Sequence, residues 1–160
     1  MKIISIDPGK KGAIVWLNAD ATDFYFEKMP LDSEGKIDFI ILRELLNRDP
    51  DEQQHIFSEK PNTMGVMGAT QAFNYGVDFG LLLSVVIDSE LPYTLVEPNK
   101  WTKIIHAGID SKYKPKAKSQ IAVKRLFPKF LSRIPKTKPR YYSEGVVDAL
   151  LIAEYGRRQL

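Results

Sequence analysis

The sequence predicts an α/β fold in which a mixed five-stranded sheet is flanked by helices. Two patterns support this prediction. Three short apolar runs, over residues 2–7, 13–17 and 23–28, follow one another with only short turns between them, as in an antiparallel meander. After them, strand-like and helix-like patterns alternate along the chain. The later strands are therefore expected to run parallel to the first.

Each later element is predicted from its own local pattern. In the first expected helix, the apolar residues that recur at helical spacing are Ile40, Ile41, Leu45 and Leu46. Pro98 marks another helix start, because the first turn of a helix does not need its N–H group. The expected elements are a helix over residues 38–48, a strand over 55–59, a long helix over 68–88, a strand over 93–97, a short helix from Pro98, a basic amphipathic helix over 116–127, a loop over 131–142 and a final helix over 145–160. The residues expected to face the core from the basic amphipathic helix are Ile121, Ala122, Leu126 and Phe127.

The long helix carries a ridge of small residues. They are spaced four apart, and they are Gly68, Ala72, Gly76, Gly80 and Ser84. Glycine inside a helix costs about 1 kcal/mol relative to alanine, so three glycines need a reason. Close approach to another backbone is the simplest one. The ridge could pack against the sheet of the same chain, or against a partner helix across a dimer interface, and the sequence leaves both readings open.

The bulk composition limits the class of protein. With 160 residues, the chain is expected to form one domain over residues 1–160. It contains no cysteine, which excludes disulfides, zinc–thiolate sites and thiol nucleophiles. No stretch was expected to be long and apolar enough to span a membrane, and the N-terminus lacks a signal-peptide pattern because Asp7 interrupts the first apolar run. A soluble, cytoplasmic protein without a membrane partner is the expectation.

The charges are distributed unevenly along the chain. The net charge is +3, but residues 100–140 contain 13 Lys or Arg and a single acid, Asp110. That segment carries +12 and the rest of the chain carries −9. A basic surface beside acidic residues is typical of a metal-dependent enzyme that acts on a polyanion, and it favours nucleic-acid binding over an ordinary solvated face.

Four acidic residues stand where a two-metal nuclease needs them. Asp7 and Glu59 each end an apolar strand, and Glu144 and Asp148 are four apart at the head of the last helix. An i, i+4 pair projects from one helix face. Two strand ends and one helix face can therefore surround a single point with carboxylates, and Mg²⁺ is the natural ion for such a set. Two such ions would activate water and stabilise the leaving oxygen in phosphodiester cleavage.

This order of elements, with acids on the first strand, the fourth strand and the last helix, is the layout of a ribonuclease-H-like fold. Four segments stand in order along the chain, namely Ile6-Asp7-Pro8-Gly9, Glu59-Lys60-Pro61, Asn74-Tyr75-Gly76 with Gly80, and Asp148-Ala149-Leu150-Leu151-Ile152-Ala153. In these segments the chain resembles the RuvC-type Holliday junction resolvases, in particular their phage-type branch.

The resemblance implies a homodimer that binds a four-way DNA junction and other branched DNA. It implies symmetric nicks with 5′-phosphate products, made with two Mg²⁺ that Mn²⁺ can replace. It also places the protein in the cytoplasm of a bacterial host cell, associated with the nucleoid. The family ligands carry over onto Asp7, Glu59 and Asp148. The bacterial enzymes have an acid three residues before the last aspartate, where this chain has Gly145. Glu144 stands one position earlier, as in the phage-type members.

Basic and apolar residues complete the predicted site. Lys118 is a candidate to stabilise charge on the scissile phosphate, as is Lys116, although both could be interchangeable phosphate contacts. The residues predicted to bind DNA are Lys10, Lys11, Lys112, Lys114, Lys116, Lys118, Lys124 and Arg125. Family members insert an apolar side chain into the junction centre near the start of the long helix, and Met67 and Phe73 are the candidates for this wedge.

Two alternatives remain open from sequence alone. A ribonuclease H, or a general flap or branch nuclease of the same fold, would use the same acids, since substrate geometry and not metal chemistry separates these activities. A catalytically inactive DNA-binding scaffold is the other alternative. Metal binding would distinguish it, because a scaffold has no reason to keep the four carboxylates.

Overall fold

The computed structural model describes residues 1–48, 52–60 and 68–160 of the chain. The strands are β1 (Lys2–Asp7), β2 (Ala13–Asn18), β3 (Phe24–Lys28), β4 (Gln54–Glu59), β5 (Tyr93–Val96), β6 (Lys136–Lys138) and β7 (Tyr141–Tyr142). The helices are α1 (Phe39–Leu46), α2 (Ala69–Asp88), α3 (Pro98–Ile105), α4 (Pro115–Leu126) and α5 (Glu144–Arg157), with a 3-10 turn at Pro128–Phe130.

The main sheet has five strands in the order β3-β2-β1-β4-β5. β2 pairs antiparallel with both β1 and β3, whereas β4 is parallel to β1 and β5 is parallel to β4. The predicted mixed sheet, with an antiparallel meander followed by parallel strands, is confirmed. Because β1 is the central strand, its carboxyl end lies in the middle of one edge of the sheet, where the ends of β4 and β5 also lie.

Local chemistry explains where the helices start. The Asp38 carboxylate accepts hydrogen bonds from the backbone N–H groups of Ile40 and Ile41, at 3.0 and 3.1 Å. This N-cap fixes the start of α1 at Phe39. Proline stands in the first turn of both α3 and α4, where no partner for its nitrogen is needed. The long helix begins one residue after Gly68, as its sequence predicted.

The segment over residues 131–142 was predicted to be a loop, and this prediction was wrong. It contains β6 and β7, which pair antiparallel through Lys136↔Tyr142 and Lys138↔Tyr141. The hairpin is anchored from outside its own sequence, because the Gln120 side chain hydrogen-bonds both the N–H and the C=O of Tyr142, at 3.0 and 3.1 Å. Gln120 is 22 residues away from Tyr142 in the sequence, so the local pattern of residues 131–142 could not predict the hairpin.

α4 buries only part of the face that the sequence predicted, together with residues beside it. Ala122 and Phe127 are buried as expected, but Ile121 and Leu126 are only half-buried. The buried residues of the helix are Ser119, Gln120, Ala122 and Val123. Gln120 is turned inward by its bonds to Tyr142, and a polar residue is tolerated there because those bonds satisfy it.

Two apolar clusters cover the two faces of the main sheet. On one face α5 lies across β1 and β2, with α3 and α4 packed against it. Ten of its fourteen residues are buried, and the Ser5 hydroxyl of β1 donates a 2.6 Å hydrogen bond to the Ala149 carbonyl. On the other face α1 and α2 pack together over a cluster that includes Trp16 and Ile56. α5 is therefore largely buried against the sheet.

α2 leaves one of its faces in the open. The residues of the small ridge from Gly68 to Ser84 are all exposed, and among the described residues nothing lies within 4 Å of a Cβ atom added at any of its three glycines. The described part of the chain therefore leaves the ridge uncovered, against the interpretation that it packs inside the same chain. Large apolar side chains share the exposed face, namely Phe73, Val77 and Leu81.

The same helix corrects an expectation about membranes. α2 is long and apolar enough to cross a membrane by length and composition alone, with 17% of its 18-residue window buried. The sequence was expected to contain no such stretch. Because only part of the helix surface is covered by the rest of the chain, its apolar composition requires an explanation other than the core.

The backbone of the β1–β2 turn is in close contact with the start of α5. A Cβ atom at Gly145 would lie 2.1 Å from the Lys11 carbonyl oxygen, and one at Gly12 would lie 1.9 Å from the Asp7 carbonyl oxygen. Both obstacles are backbone atoms, which cannot move aside as a side chain can. At the other end of α5, a Cβ atom at Gly156 would lie 2.4 Å from the Phe57 ring.

We predict that Gly145→Ala and Gly156→Ala both destabilise the protein, each by roughly 1–3 kcal/mol, because each forces an atom into filled space. They should respond differently to Phe57→Ala, which removes the ring atoms that block residue 156. In denaturant unfolding, the loss of stability for Gly156→Ala combined with Phe57→Ala should be smaller than the sum of the losses for the two single changes. Gly145→Ala serves as the control, since its obstacle is a backbone atom that the truncation leaves in place. Equal coupling of both glycine variants to Phe57→Ala would contradict this account.

Candidate active site

Two of the four predicted acids meet because two parallel strands end together. Asp7 is the last residue of β1 and Glu59 is the last residue of β4. These strands are direct neighbours, with Ile6 opposite Ser58 in the register. The carboxyl ends of neighbouring parallel strands lie at one edge of a sheet, so the two carboxylates lie beside each other there.

The other two acids reach the same edge on α5. Glu144 is the first residue of that helix and Asp148 lies one turn further along. The Glu144 side chain is 54% exposed, whereas one carboxylate oxygen of Asp148, Oδ1, is buried. The close packing of Gly145 on the β1–β2 turn sets how near this helical turn comes to Asp7. Asp7 interacts electrostatically with Asp148 and Glu59, and Asp148 interacts with Glu144, so the four acids that the sequence singled out lie near the same edge of the sheet.

Burial and mutual repulsion disfavour the charged forms of these acids. Burial, followed by the charges of Asp148 and Glu59, raises the pKa of Asp7 from 3.8 to about 8. Burial also raises the pKa of Asp148 to about 6, although a hydrogen bond from Ser119 works in the opposite direction. The pKa of Glu59 is raised by burial, with a bond from Trp101 opposing the shift. Strongly shifted acids that face one another are typical of functional sites.

The carboxylate oxygens suit a divalent cation, but the four side chains do not converge on a single point. Among the described residues the buried Asp148 Oδ1 has no hydrogen-bond partner, which is costly for a carboxylate unless a cation approaches it. Within residues 1–48, 52–60 and 68–160, no three His, Cys, Asp or Glu side chains converge closely enough to hold an ion as they stand. Two of the acids are held by other groups, since Glu59 is bonded to Trp101 and Glu144 is paired with Lys116.

Trp101 is a site residue that sequence reasoning missed. Its indole Nε1–H donates to Glu59 Oε2 at 2.7 Å, and the side chain is almost fully buried. The contact joins residues 42 positions apart, from the first turn of α3 to the end of β4. No local pattern around either residue signals it. Because the bond fixes one carboxylate oxygen, Trp101 sets the orientation of Glu59.

Further side chains stand behind the acids. His106 lies 3.3 Å from the Ser119 hydroxyl and meets Trp101 edge-on, with ring centroids 5.6 Å apart. On the opposite side Tyr75 of α2 approaches the site, and its pKa is raised by burial and then by the charges of Glu59 and Asp7. The acids therefore lie between α3–α4 and α2.

The lysines predicted to act at the scissile phosphate occupy different positions. Lys116 Nζ lies 2.7 Å from Glu144 Oε2, and this pairing raises the pKa of Lys116. Its charge also works against the upward shift in the pKa of Asp148. Lys118 lies near other groups, since burial and then the charge of Lys118 lower the pKa of His106, and hydrogen bonds from Lys112 and then the charge of Lys118 lower the pKa of Asp110. Lys116 is thus the lysine that the structure sets directly against the acids.

The remaining predicted DNA-binding residues are exposed, and some of them also make contacts within the chain. Lys10, Lys11, Lys112 and Lys114 are exposed, and Lys112 also pairs with Asp110 at 3.1 Å. Lys124 lies over the ring of Tyr142. Arg125 is engaged within the chain, since its guanidinium donates to the carbonyls of Ala107 and Ile105, both at 2.8 Å. That guanidinium joins α4 to the end of α3.

The two wedge candidates differ in what can be said of them. Phe73 is 71% exposed on the second turn of α2, so its ring is available to another molecule. Met67 lies outside the described residues.

The fold has known relatives among solved structures. Thermus thermophilus RuvC matches with a TM-score of 0.58 and 14% identity, over 99% of this chain and 97% of the other. The fold is RuvC-like. T. thermophilus RuvC in complex with a Holliday junction substrate matches with the same score and identity, over 96% of this chain and 90% of the other. No family model and no curated protein matches the sequence.

The raised pKa of Asp7 predicts how stability depends on pH. Between pH 4 and 8 the folded protein holds a proton on Asp7 that the unfolded chain has already lost, so stability should fall as pH rises through this window. Asp7→Asn removes the titrating group. It should therefore gain stability relative to the parent protein as pH rises from 4 to 8, by up to about 5 kcal/mol.

Denaturant unfolding across this pH range, without divalent metal, measures the effect. Asp20→Asn is the matched control, because Asp20 is exposed and hydrogen bonds from Thr22 lower its pKa. The Asp20 carboxylate stabilises the folded protein above its unfolded pKa. Asp20→Asn should therefore lose stability relative to the parent protein as pH rises, which is opposite to the change expected for Asp7→Asn. Parallel pH curves for the parent protein and Asp7→Asn would show that the Asp7 carboxylate is not held in its neutral form.

Proposed function

We propose that this protein is a metal-dependent endonuclease that cuts branched DNA, with the four-way Holliday junction as its principal substrate. Residues 1–160 would act as a single nuclease domain. The observation that carries the proposal is the meeting of four acids at one sheet edge, with Asp7 and Asp148 buried where their charges are disfavoured. The repulsion between such carboxylates is unfavourable on its own, and a bound divalent cation would offset it.

The fold supports the choice of substrate. A structural neighbour over nearly the whole chain is a RuvC protein in complex with a Holliday junction substrate. At 14% identity the likeness is one of fold, and function must come from the site. The acids at the ends of β1 and β4 and on α5 supply that second argument. Among RuvC-like proteins, Glu144 rather than an acid at position 145 points to the phage-type branch.

The residues that would hold the metal ions are Asp7, Glu59, Glu144 and Asp148. All four offer carboxylate oxygens, which suit Mg²⁺ and also Mn²⁺. When bound, a pair of such ions lowers the pKa of the attacking water and stabilises the leaving oxygen in phosphodiester hydrolysis, giving a 5′-phosphate product. No covalent bond between the protein and DNA is needed.

The chain's own residues orient this set. Trp101 holds one oxygen of Glu59, and a hydrogen bond from Ser119 reaches Asp148. Lys116 pairs with Glu144 at 2.7 Å and is exposed, so it can move from Glu144 to a DNA phosphate without breaking a buried contact. Lys118, further along α4, is the other candidate to stabilise charge on that phosphate.

DNA would lie along the basic surface. Residues 100–140 carry +12, and several of these lysines are exposed around the acids. The proposed DNA contacts are Lys10, Lys11, Lys112, Lys114, Lys116, Lys118, Lys124 and Arg125. Contacts of this kind attract any phosphate backbone, and the affinity should fall steeply with salt.

A homodimer would place two such sites on one junction. The exposed face of α2 combines glycines with Phe73, Val77 and Leu81, which allows a second helix to approach closely and covers apolar surface. Tyr75 of the same helix reaches Glu59 and Asp7 electrostatically, so the proposed interface lies beside the site. Phe73, and Met67 just before the helix, are the proposed wedge residues that open the junction centre.

The cell compartment follows from the substrate. We propose that the protein acts in the cytoplasm of a bacterial host on nucleoid or phage DNA. Debranching of phage DNA before packaging and repair of chromosomal DNA would use the same chemistry. A ribonuclease H or flap nuclease would share the metal site and differ only in substrate.

Nicking of synthetic substrates tests the activity. With Mg²⁺, the protein should make paired, symmetric nicks in an immobile four-way DNA junction and leave linear duplex and an RNA–DNA hybrid uncut. Asp7→Asn should reduce the rate by at least about a hundredfold, because it removes a carboxylate from the centre of the set. Asp20→Asn is the matched control and should cut at the parent rate. Cutting of the hybrid with an intact junction would identify a ribonuclease H, and no cutting of any substrate would leave a binding scaffold.

Light scattering on a sizing column tests the dimer. The parent protein should have twice the 18.2 kDa mass of the chain. Gly80→Arg should give the monomer mass, since its side chain fits in solvent but not against a second helix. Ser33→Arg, at an exposed position in the loop before α1, adds the same charge and should remain dimeric. A monomeric parent protein that instead floats with lipid vesicles would assign the apolar face of α2 to a membrane.

A further inference from the structure

A cleft of about 400 Å³ opens beside the acids on the side of the β6–β7 hairpin. We call it the basic cleft. It is lined by Lys10, Lys11, Gly12, Lys28, Thr137, Ser143, Glu144 and Gly145. Three parts of the chain form it, namely the β1–β2 turn, the end of β3, and the segment from the hairpin to the start of α5. Neither Lys28 nor the hairpin was singled out from sequence.

The charge of the basic cleft is positive. It contains three ammonium groups, on Lys10, Lys11 and Lys28, and one carboxylate, on Glu144. Lys116 already pairs with Glu144 at 2.7 Å from outside the cleft. In the part of the chain that the structure describes, no acid lies within ion-pair distance of Lys10, Lys11 or Lys28. Three cations around one small space suit an anion.

The hairpin wall of the cleft is held firmly in place. The side chain of Gln120 bonds both backbone groups of Tyr142, and the Ser143 N–H donates to the Pro135 carbonyl at 2.7 Å. These bonds fix the hairpin against α4 and present Thr137 to the cleft. The wall is therefore preformed, and a ligand would not have to order it.

The basic cleft and the acids share one residue. Glu144 lines the cleft, and its charge raises the pKa of Asp148, so it faces both spaces. Consecutive phosphates of a DNA strand are separated by a single nucleotide. A strand with one phosphate at the acids therefore has its next phosphate within reach of the other side of Glu144.

We propose that the basic cleft binds the backbone phosphate next to the one that is cut, with Lys28 and Thr137 as contacts alongside Lys10 and Lys11. The proposal rests on the proposed function, because it assumes that a DNA strand crosses the acids. It adds a positioning contact that holds the strand in register with the site. A free phosphate group has the same chemistry as the backbone phosphate, and the test separates the two.

Binding of the four-way junction over a range of salt concentrations is the first test. Lys28→Gln should weaken binding and reduce the slope of log affinity against log salt by about 0.7–0.9, the value for one phosphate contact. Thr137→Val should weaken binding without changing that slope, since it removes a neutral donor. Lys36→Gln is the matched control, because Lys36 is exposed and lies outside both the cleft and residues 100–140. Equal behaviour of Lys28→Gln and Lys36→Gln would overturn the proposal.

Junctions with one neutral methylphosphonate at a defined position provide the second test. At the position next to the nick, the neutral group should weaken binding of the parent protein and should cost Lys28→Gln nothing more. Additive losses at every position near the nick would overturn the proposal. A different result would also overturn it: the parent protein binds inorganic phosphate, Lys28→Gln does not, and no methylphosphonate has an effect. That result would identify a site for free anions.

These outcomes separate the proposal from the proposed function. If the parent protein neither binds nor nicks branched DNA, the proposed function fails and the proposal falls with it. If the parent protein nicks the junction and Lys28→Gln matches Lys36→Gln in affinity and salt slope, only the role of the basic cleft is rejected.

Discussion

The close contact between the start of α5 and the β1–β2 turn is the constraint on which the site depends. Gly145 lies against the Lys11 carbonyl and Gly12 lies against the Asp7 carbonyl, with no space for a single added carbon. This contact fixes the distance from the end of β1 to the first turn of α5. Glu144 stands next to Gly145 in sequence, and Asp148 follows one turn later. Gly145 thus has a packing role of its own in this chain.

The acidic set lowers the stability of the fold. Burial raises the pKa values of Asp7 and Asp148, and the charge of Asp148 adds to the shift at Asp7, so keeping both acids ionised at neutral pH costs stability. The surrounding groups limit this cost. Trp101 and Ser119 each hydrogen-bond one acid, and Lys116 pairs with the exposed Glu144. A divalent cation would relieve the rest of the repulsion, which couples metal binding to stability.

The two faces of the sheet are used in different ways. α5 is almost wholly enclosed and serves as a rigid support for two of the acids. α2 is exposed along its small-residue ridge, with Phe73 near its start and Tyr75 directed towards the acids. A contact made on the exposed face of α2 would therefore lie on the same helix as Tyr75, which interacts electrostatically with Glu59 and Asp7. Dimerisation and catalysis would share this helix, in the way that DNA binding and catalysis would share Glu144.

Much of the molecule was predictable from sequence because the information is local. Period-two and period-3.6 patterns gave the five strands of the sheet and the main helices to within a few residues, and the antiparallel-then-parallel order followed from the lengths of the connections. The acids were recognisable as well, since each stands at the end of a strand or the head of a helix. The ridge from Gly68 to Ser84 was visible, but its exposure was not, because a helix presents the same spacing to a sheet and to solvent.

The tertiary structure alone decided what depends on contacts between distant residues. The Trp101–Glu59 bond spans 42 positions, and the β6–β7 hairpin depends on Gln120. The choice between Lys116 and Lys118 as the neighbour of the acids, and the basic cleft that joins Lys28 to Thr137, likewise follow from packing. The sequence by itself determined which residues have suitable chemistry, since periodicity and spacing act within a few positions. Only the folded chain decided which of them meet, because that depends on how separate elements pack.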